Sequence, residues 1–307
     1  MECYNVIIIG GGPAGYTAAI YALRAGLTCA ILEKLAPGGQ MATTSNIENY
    51  PGFSSVSGWE LTEKMREQAI ALGAVELFGE VTGADLSASP KHVITVDGEV
   101  LGNSVIIATG AKPRKLGVER EDNLLGKGVS YCATCDGMFF RGKTVAVAGG
   151  GNTAFEDALY LANLCEKVYI IHRRDAFRAS PAYIKKAKEK ANIEFLTDSA
   201  VSALLGEKSL MGAEIKNLKT GEISALDLNG LFVAVGRDPD TDVFKGVVAM
   251  DEAGYIVAGE DTKTSVPGVF AAGDVRTKPL RQIVTACADG AAAVKSAEEY
   301  LGELESV

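Results

Sequence analysis

The chain has 307 residues, of which 47% are hydrophobic and 22% are charged. This composition is typical of folded globular proteins, and the length predicts about two domains. The formal net charge of −9 argues against nucleic acid as a partner, because proteins that bind it present a basic face to the phosphates. Glycine is over-represented at 35 residues, which indicates tight turns or close approaches of the backbone to a ligand.

Targeting signals are not evident in the sequence. No apolar run reaches the ~18 residues that a membrane helix needs, and the first five residues lack the basic segment of a signal peptide. Six cysteines are too few for a scaffold held together by disulfides. We therefore expect a cytoplasmic protein without a membrane partner.

The first predicted unit is a strand, a glycine-rich turn, a helix and a second strand. Residues 4–9 end in four β-branched residues, as expected of a strand buried on both faces of a parallel sheet. Glycines at positions 10, 11, 12 and 15 open a helical pattern that runs to about residue 25. A strand at residues 28–32 then ends at Glu33. This order predicts a dinucleotide-binding unit.

The glycines and Glu33 indicate the ligand of this unit. Gly12 has no side chain to block a pyrophosphate, and the N-terminus of the following helix offers free N–H groups and positive potential. Glu33 is suited to accept hydrogen bonds from ribose hydroxyl groups, so we expect FAD or NAD(H) rather than a nucleotide with a 2′-phosphate. The alternative is that the glycines only allow close packing of strand and helix.

Cys132 and Cys135 are separated by two residues and followed by Asp136. A structural zinc site needs four ligands, whereas the remaining cysteines and both histidines are scattered. An inert thiol pair is a further alternative. A redox-active dithiol is favoured, since this spacing closes a small, reducible disulfide. Asp136 is a candidate general acid for a leaving thiolate, or else a carboxylate at a helix start. We expect the other cysteines to pack as small hydrophobic side chains; they are Cys3, Cys29, Cys165 and Cys287.

The pattern of the first unit returns 139 residues later. A strand at residues 143–148 precedes glycines at 149, 150 and 151, a helix runs to about residue 164, and a strand at 167–171 ends at His172. A basic segment replaces the acid of the first unit, with the residues His172, Arg173, Arg174 and Arg178. Arginine forks bind phosphate oxygens, so this unit is predicted to favour NADP(H) over NAD(H). The alternative is a solvated basic loop paired with nearby carboxylates.

Further short apolar runs end close to a glycine or an acid. Residues 105–110 run from an apolar segment to Gly110, residues 231–235 are followed by Gly236, and a run at residues 269–272 is followed by Gly273 and Asp274. The carboxylate of Asp274 is suited to bind a polyol chain or to cap a helix. These segments fit a flavoprotein with two nucleotide sites.

The cysteine pair precedes the second glycine turn and belongs to the second nucleotide unit. We therefore predict a two-electron path from a reduced pyridine nucleotide to a flavin, to the cysteine pair and then to an external disulfide. If the nicotinamide and the pair compete for one position at the flavin, this unit must swing between turnovers. The proline-containing segments at residues 111–114 and 237–240 are candidate hinges. Equal rates in a variant with cross-linked domains would contradict this hypothesis.

Together the motifs resemble the bacterial-type, low-molecular-weight thioredoxin reductases over essentially the whole chain. The segments that carry the resemblance are residues 10–15, 38–40, 48–52, 108–110, 132–137, 149–154, 172–179 and 273–274. The resemblance implies an α/β fold with two Rossmann-like, three-layer nucleotide-binding domains. It implies a discontinuous FAD domain at residues 1–112 and 242–307, with the NADPH domain at 113–241 inserted in it. It also implies a homodimer that reduces the disulfide of thioredoxin or a similar small redoxin.

The resemblance assigns roles to individual residues. Cys135 faces the flavin, Cys132 attacks the partner's disulfide, and Asp136 is the acid. The implied FAD contacts are Gly10, Gly12, Pro13, Ala14, Gly15, Glu33, Lys34, Gly39, Gln40, Asn49, Ala108, Thr109, Gly110, Gly273, Asp274, Arg281 and Gln282. The implied NADPH contacts are Gly149, Gly151, Asn152, Thr153, Ala154, His172, Arg173, Arg174 and Arg178. The loop at residues 276–280 departs from the family pattern.

Other flavoproteins fit less well. Reductases of the glutathione-reductase type carry the cysteine pair soon after the first unit, whereas residues 34–50 contain no cysteine here. The reductase of an alkyl hydroperoxide system needs an additional N-terminal redox module. A ferredoxin-dependent thioredoxin reductase lacks the second nucleotide motif, and a flavin-dependent ferredoxin reductase lacks the cysteine pair. A nucleotide-binding sensor without turnover is the most remote alternative.

Overall fold

The structure is a computed structural model that describes residues 3–34, 36–44 and 47–305. The polypeptide divides into two compact units. Unit 1 comprises residues 1–112 and 238–307, and unit 2 comprises residues 113–237. The second crossing between the units therefore comes four residues earlier than the sequence analysis placed it.

The first segment of unit 1 begins with strand β1 (Cys3–Ile9), helix α1 (Pro13–Arg24) and strand β2 (Cys29–Glu33). A 3-10 helix (Gly39–Thr43) and helix α2 (Gly58–Ala71) follow. The segment ends with strands β3 (Val75–Phe78), β4 (Val81–Asp85), β5 (Lys91–Thr95), β6 (Gly98–Ile107) and β7 (Ala111–Pro113).

Unit 2 begins with strand β8 (Val129–Ser130), helix α3 (Ala133–Asp136) and a 3-10 helix (Gly137–Phe140). Its nucleotide-type unit is β9 (Thr144–Gly149), α4 (Asn152–Ala162) and β10 (Lys167–Ile171). The remaining elements are α5 (Pro181–Lys188), β11 (Ile193–Leu196), β12 (Ser199–Leu205), β13 (Gly212–Asn217), β14 (Ile223–Asp227), β15 (Gly230–Ala234) and β16 (Arg237–Pro239).

Unit 1 resumes after β16. It adds a 3-10 helix (Asp242–Phe244), strand β17 (Val269–Ala271), another 3-10 helix (Gly273–Val275) and the long helix α6 (Ile283–Glu305). None of the helices in the described ranges is long and apolar enough to cross a membrane.

The parallel part of the unit 1 sheet has the order β3-β2-β1-β6-β17, so β1 lies near its centre. Strand β5 pairs antiparallel with β6, and β4 pairs antiparallel with β5. Val6 and Ile8 pack with α1, α2 and α6, whereas Ile7 and Ile9 pack with side chains from β5 and residues 244–258 on the other face. Burial of β1 on both faces is thereby confirmed.

The parallel sheet of unit 2 has the order β11-β10-β9-β15-β8. Val145 and Val147 of β9 pack with α4, whereas Ala146 and Ala148 pack with the separate antiparallel sheet β12-β13-β14. Because the carboxyl ends of parallel strands meet at one edge of a sheet, the turns that follow β1, β2, β6 and β17 converge in unit 1. Those that follow β9, β10 and β15 converge in unit 2.

Candidate redox and nucleotide sites

The turn between β1 and α1 requires glycine for different reasons at different positions. Gly10 has a φ of +113°, and a Cβ atom there would lie 2.4 Å from the carbonyl oxygen of Ala108. A Cβ atom on Gly15 would lie 1.9 Å from the carbonyl oxygen of Gly10, so α1 can start this close to β1 only with glycine. Beside Gly12, by contrast, no described atom lies within 4 Å of the Cβ position. This open space at the N-terminus of α1 suits a phosphate group.

Glu33 lies at the end of β2 and faces the same turn. Its Oε2 atom accepts a hydrogen bond from the N–H group of Gly11 at 2.8 Å. The turn thus fixes a carboxylate where a ribose would bind in a dinucleotide unit. Lys34, the next residue, is exposed and forms an ion pair with Glu80.

The turn after β6 is held by the returning segment of unit 1. The hydroxyl group of Thr109 donates to the carbonyl oxygen of Asp240 at 2.6 Å. The N–H group of Asp240 donates to the carbonyl oxygen of Gly110 at 3.0 Å. The N–H group of Ala108 in turn donates to Ile9 in β1 at 2.8 Å. These bonds place residues 108–110 beside the first glycine turn.

The turn after β17 is tied to α6 by Asp289. The Oδ2 atom of Asp289 accepts hydrogen bonds from the N–H group of Gly273 at 2.9 Å and from the Nζ atom of Lys278 at 2.6 Å. Both Asp289 oxygens also accept from the Arg276 guanidinium, at 2.7 and 2.9 Å. Asp274 follows Gly273, so this buried network fixes the backbone of a predicted flavin ligand.

Some of the predicted flavin ligands lie far apart in the sequence but contact each other in the structure. The side-chain amide of Asn49 donates to the Oε1 atom of Gln282 at 3.0 Å. The guanidinium of Arg281 lies 4.1 Å from the centre of the Tyr255 ring and also donates to the carbonyl oxygen of Asp274. The remaining predicted contacts of this group are Pro13 and Ala14 in α1, and the exposed Gly39 and Gln40 in the first 3-10 helix.

The second glycine turn repeats the first with one change. A Cβ atom on Gly149 would lie 2.4 Å from the carbonyl oxygen of Ala234, whereas no described atom lies within 4 Å of that position on Gly151. A Cβ atom on Gly150 would lie 2.3 Å from the ring of His172. That ring therefore occupies the place that Glu33 takes in unit 1.

Helix α4 follows this turn and carries three predicted nucleotide contacts. The Oδ1 atom of Asn152 accepts from the N–H group of Ser180 at 2.8 Å. Thr153 is exposed, and Ala154 is buried. The first turn of α4 is therefore tied to the residue that precedes α5.

The structure separates His172 from the arginines that the sequence analysis grouped with it. His172 is 6% exposed, its ring packs on that of Phe177, and its Nε2 atom lies 3.2 Å from the carbonyl oxygen of Ala176. Burial lowers the pKa of the imidazole, and the nearby arginine charges lower it further, so the neutral form is favoured. His172 therefore supports the loop instead of offering a positive charge to a ligand.

Arg173, Arg174 and Arg178 are exposed on the loop between β10 and α5. The N–H group of Arg178 donates to the carbonyl oxygen of Gly150 at 2.8 Å, which fastens the loop to the glycine turn. In the part of the chain that the structure describes, no carboxylate forms an ion pair with any of these arginines. This favours an anion site over a loop neutralised by its own carboxylates.

Cys132 and Cys135 form a disulfide, and both are partly buried. Cys132 directly precedes α3, and Cys135 lies within it. The N–H groups of Cys135 and Asp136 both donate to the carbonyl oxygen of Cys132, at 3.3 and 3.1 Å. The two cysteines that the disulfide joins therefore lie on a single helical turn. Among the described residues, no group of histidine, cysteine and acidic side chains is arranged to hold a metal ion.

Asp136 is partly buried at the end of α3. Burial raises the pKa of its carboxyl group, and a hydrogen bond from the Ser130 hydroxyl at 2.6 Å offsets part of that rise. A carboxyl group with a raised pKa stays protonated closer to neutral pH. This is the property that a general acid needs.

Several polar residues around the pair were not identified by the sequence analysis. Glu121 is 3% exposed and accepts a hydrogen bond from the hydroxyl of Tyr131, the residue before Cys132, at 2.7 Å. Asp157 lies in α4, and burial raises the pKa of its carboxyl group to about 7 despite the charge of Arg237. Ser130 and Tyr131 were recognisable from their position next to the pair. Glu121 and Asp157 give no comparable signal in the sequence.

The expectation that the remaining cysteines pack in the core is confirmed in part. Cys29 and Cys165 are buried, and burial raises the pKa of each thiol to about 11. Cys287 is partly buried, with its sulfur 3.9 Å from the Tyr50 hydroxyl. For Cys3 the expectation is wrong, because this residue begins β1 outside the core and is exposed.

Comparison with known proteins gives one consistent result. A sequence model of the pyridine nucleotide-disulphide oxidoreductase family matches residues 4–290. The thioredoxin reductase of Peptoclostridium acidaminophilum is 45% identical, with 97% of each chain covered. The thioredoxin reductase of Streptomyces coelicolor is also 45% identical, and the match covers 98% of this chain and 94% of that protein.

Solved structures agree with the sequence relatives. The thioredoxin reductase of Streptococcus pyogenes is similar with a TM-score of 0.92 and 43% identity, covering 98% of this chain and 99% of that one. The thioredoxin reductase of Giardia duodenalis has a TM-score of 0.93 and 41% identity, covering 98% and 100%. The predicted α/β fold with Rossmann-like domains is thereby confirmed. Similarity of this extent shows that the chain belongs to the pyridine nucleotide-disulphide oxidoreductase family.

Proposed function

We propose that this protein is an NADPH-dependent thioredoxin-disulfide reductase. It transfers two electrons from NADPH, through FAD and the Cys132–Cys135 disulfide, to the disulfide of thioredoxin or a similar small redoxin. The observation that carries the proposal is the disulfide itself, which lies in the same unit as a glycine turn bordered by exposed arginines. Relatives of 42–45% identity that are named thioredoxin reductase support it.

FAD is the ligand proposed for unit 1. The open space beside Gly12 fits a pyrophosphate, and Glu33 fits an adenosine ribose. Asp274 and the Asn49–Gln282 pair are the remaining polar groups proposed to hold it. Bound FAD supplies the two-electron carrier between the nicotinamide and the disulfide.

NADPH is the proposed nucleotide of unit 2. The open space beside Gly151 fits its pyrophosphate, and the exposed arginines fit its 2′-phosphate. In unit 2 the buried His172 lies where the ribose-binding acid Glu33 lies in unit 1, so no carboxylate from this position would repel a 2′-phosphate. We accordingly propose that unit 1 is the FAD domain and unit 2 the NADPH domain.

The exchange with the redoxin uses the reduced cysteine pair. The thiolate of Cys132 attacks one sulfur of the partner's disulfide, which forms a mixed disulfide and releases a partner thiolate. Asp136 gives a proton to that leaving thiolate. The thiolate of Cys135 then attacks the sulfur of Cys132, which releases the reduced partner and restores the enzyme's disulfide.

An apolar surface next to the pair supports a protein substrate. Met138 and Phe139 lie on the 3-10 helix that follows Asp136, and each is 44% exposed. Exposed apolar side chains beside a reactive group are typical of a docking site for another protein. We also propose, from the resemblance to the family, that the enzyme acts in the cytoplasm as a homodimer.

The experiment that tests the proposal is the reduction of a thioredoxin disulfide by the purified, flavin-loaded protein. NADPH should support turnover at a KM well below that of NADH. The double variant Arg173→Ala/Arg174→Ala should raise the KM for NADPH by roughly 100-fold or more, because two hydrogen bonds to a phosphate are lost and each costs about 1.5–3 kcal/mol. It should leave the KM for NADH unchanged.

A matched control separates the loss of a phosphate contact from a general effect of charge. Arg24 is exposed at the end of α1 in unit 1, so Arg24→Ala removes an equal charge away from the proposed nucleotide site. This variant should keep the NADPH preference. If Arg24→Ala weakens NADPH binding as much as the double variant does, the proposed 2′-phosphate site is wrong.

A further inference from the structure

Ser130 lies at the centre of a small polar network around the disulfide. It is the last residue of β8, its backbone pairs in register with Phe232 of β15, and it is 2% exposed. The sheet therefore fixes its position. Its hydroxyl oxygen is 2.6 Å from the Oδ2 atom of Asp136 and 3.0 Å from the N–H group of Cys132. It is also 3.3 Å from the carbonyl oxygen of Cys132.

These distances allow the hydroxyl to serve Asp136 in either protonation state. When the carboxyl group is ionised, the Ser130 O–H donates to it, while the oxygen accepts from the N–H of Cys132. When the carboxyl group is protonated, its own O–H donates to the Ser130 oxygen. The single proton of the serine can then turn to the Cys132 carbonyl oxygen. No heavy atom has to move between the two arrangements.

We propose that Ser130 is a positioning residue that holds the Asp136 carboxyl group beside the cysteine pair in both of its protonation states. The proposal rests on the proposed function, in which Asp136 protonates the leaving thiolate. It assigns to Ser130 the task of keeping that acid oriented while its proton is given up and regained. The bond to the Cys132 backbone lets the same residue fix the attacking cysteine.

Other ionisable groups surround α3 and have to be distinguished from Asp136. Tyr131 follows Ser130, and its hydroxyl group donates a hydrogen bond to the carboxylate of Glu121. Helix α4 carries Asp157, and burial raises the pKa of its carboxyl group to about 7. Arg237 donates to the carbonyl oxygen of Tyr131, and Arg141 ends the 3-10 helix that follows Asp136. The cysteines themselves titrate only when they are reduced.

The test is a titration of the Asp136 carboxyl group in the disulfide form of the holoenzyme, followed by its infrared band. Subtracting the spectrum of Asp136→Asn removes the bands of all other carboxyl groups, including that of Asp157. Ser130→Ala should move the midpoint upward by about one pH unit, because the charge-assisted bond that Ser130 donates to the ionised carboxylate is stronger than the bond that it accepts from the protonated carboxyl group. Ser130→Thr should restore the midpoint of the unmodified protein.

Single-turnover reduction of thioredoxin by the pre-reduced enzyme provides a second readout. Ser130→Ala should lower the rate roughly tenfold, which is part of the effect that a general acid supplies. The double variant Ser130→Ala/Asp136→Asn should be no slower than Asp136→Asn alone. Ser199→Ala is the matched control, since Ser199 is also a buried serine of unit 2 but donates to Thr197 in another part of the unit.

The outcomes separate this proposal from the proposed function. An unchanged infrared midpoint in Ser130→Ala, or additive effects of the two substitutions, would overturn the positioning role. If Ser130→Ala does not fold, Ser130→Gly also lacks the hydroxyl, and the same results apply to it. If the unmodified enzyme reduces no redoxin, the proposed function has failed, and the infrared titration still decides whether Ser130 holds Asp136.

Discussion

At the residue scale, the glycine turns show how one residue type meets different demands. Gly15 is required because a Cβ atom would collide with the backbone of Gly10. Gly12 has a φ of −90° and open space around it, so the protein itself tolerates a side chain there. The demand for glycine at position 12 therefore comes from the ligand, whereas the demand at position 15 comes from the fold.

This difference predicts opposite outcomes for the same substitution. Gly12→Ala should change the free energy of unfolding of the flavin-free protein by no more than about 1 kcal/mol, but lower the affinity for FAD at least about tenfold. Gly15→Ala should destabilise the protein by several kcal/mol, since the clash is with backbone. Denaturant unfolding and flavin content measure both effects. Full flavin loading of Gly12→Ala would show that the pyrophosphate does not lie there.

Asp157 predicts a pH dependence of stability. Its folded pKa of about 7 lies above the ordinary value for aspartate, so the stability linked to its protonation is fully present below about pH 4 and is lost as the pH rises through 7. Asp157→Asn cannot ionise. Relative to the unmodified protein, it should gain about 2 kcal/mol between pH 5 and pH 8. Urea unfolding at both pH values measures this, and an equal difference at both would contradict the assignment.

At the element scale, α6 is held to the flavin side of unit 1 by packing and by a buried charge cluster. A Cβ atom on Gly290 would lie 2.3 Å from the carbonyl oxygen of Ala14, so α6 crosses α1 at close range. Beside it, the side chains of Arg276 and Lys278 are each 4% exposed and share the carboxylate of Asp289. Burial alone would raise the pKa of Asp289, but hydrogen bonds from both cations outweigh it and hold that pKa below its usual range.

Removing the shared carboxylate should therefore affect both stability and flavin binding. Asp289→Ala leaves two buried cations without their anion and should cost about 3–5 kcal/mol. It should also weaken FAD binding, because the Gly273 N–H next to Asp274 loses its acceptor. Glu299→Ala is the control, since Glu299 is an exposed acid of the same helix. Equal stability of the two variants would contradict the account. In the unmodified protein, the stabilisation that the ionised Asp289 carboxylate provides is present above about pH 4 and is lost as the pH falls below that value.

Elements with strong local patterns could be predicted from the sequence. The strands of both nucleotide-type units are confirmed within two residues, because their apolar runs and flanking glycines are local signals. The antiparallel sheet β12-β13-β14 was not foreseen, since its edge strand exposes apolar residues such as Ile223 and so lacks clear alternation. The hydrogen bonds Thr109–Asp240 and Glu121–Tyr131 join residues of different loops. Such contacts depend on tertiary structure and leave no periodic pattern in the sequence.

At the scale of the whole molecule, both proposed partners of the flavin belong to unit 2. The disulfide precedes the arginine-bordered glycine turn within the same continuous segment, residues 113–237. The chain passes between the units at β7 and β16, and each of these strands contains a proline. The swing of unit 2 between turnovers stays a prediction that holds if the nicotinamide and the disulfide compete for one position at the flavin, with these proline-containing segments as candidate hinges.

An anaerobic titration of the flavin-loaded protein with NADPH tests the central claim most directly. The flavin and the disulfide each accept one electron pair, so bleaching of the visible absorbance should consume about twice as much NADPH as in the variant Cys132→Ser/Cys135→Ser. NADH should act much more weakly. If both proteins consume the same amount, the disulfide is not linked to the flavin. If neither nucleotide bleaches the flavin, unit 2 is not an electron entry site, and a ferredoxin-type donor would replace NADPH in the account.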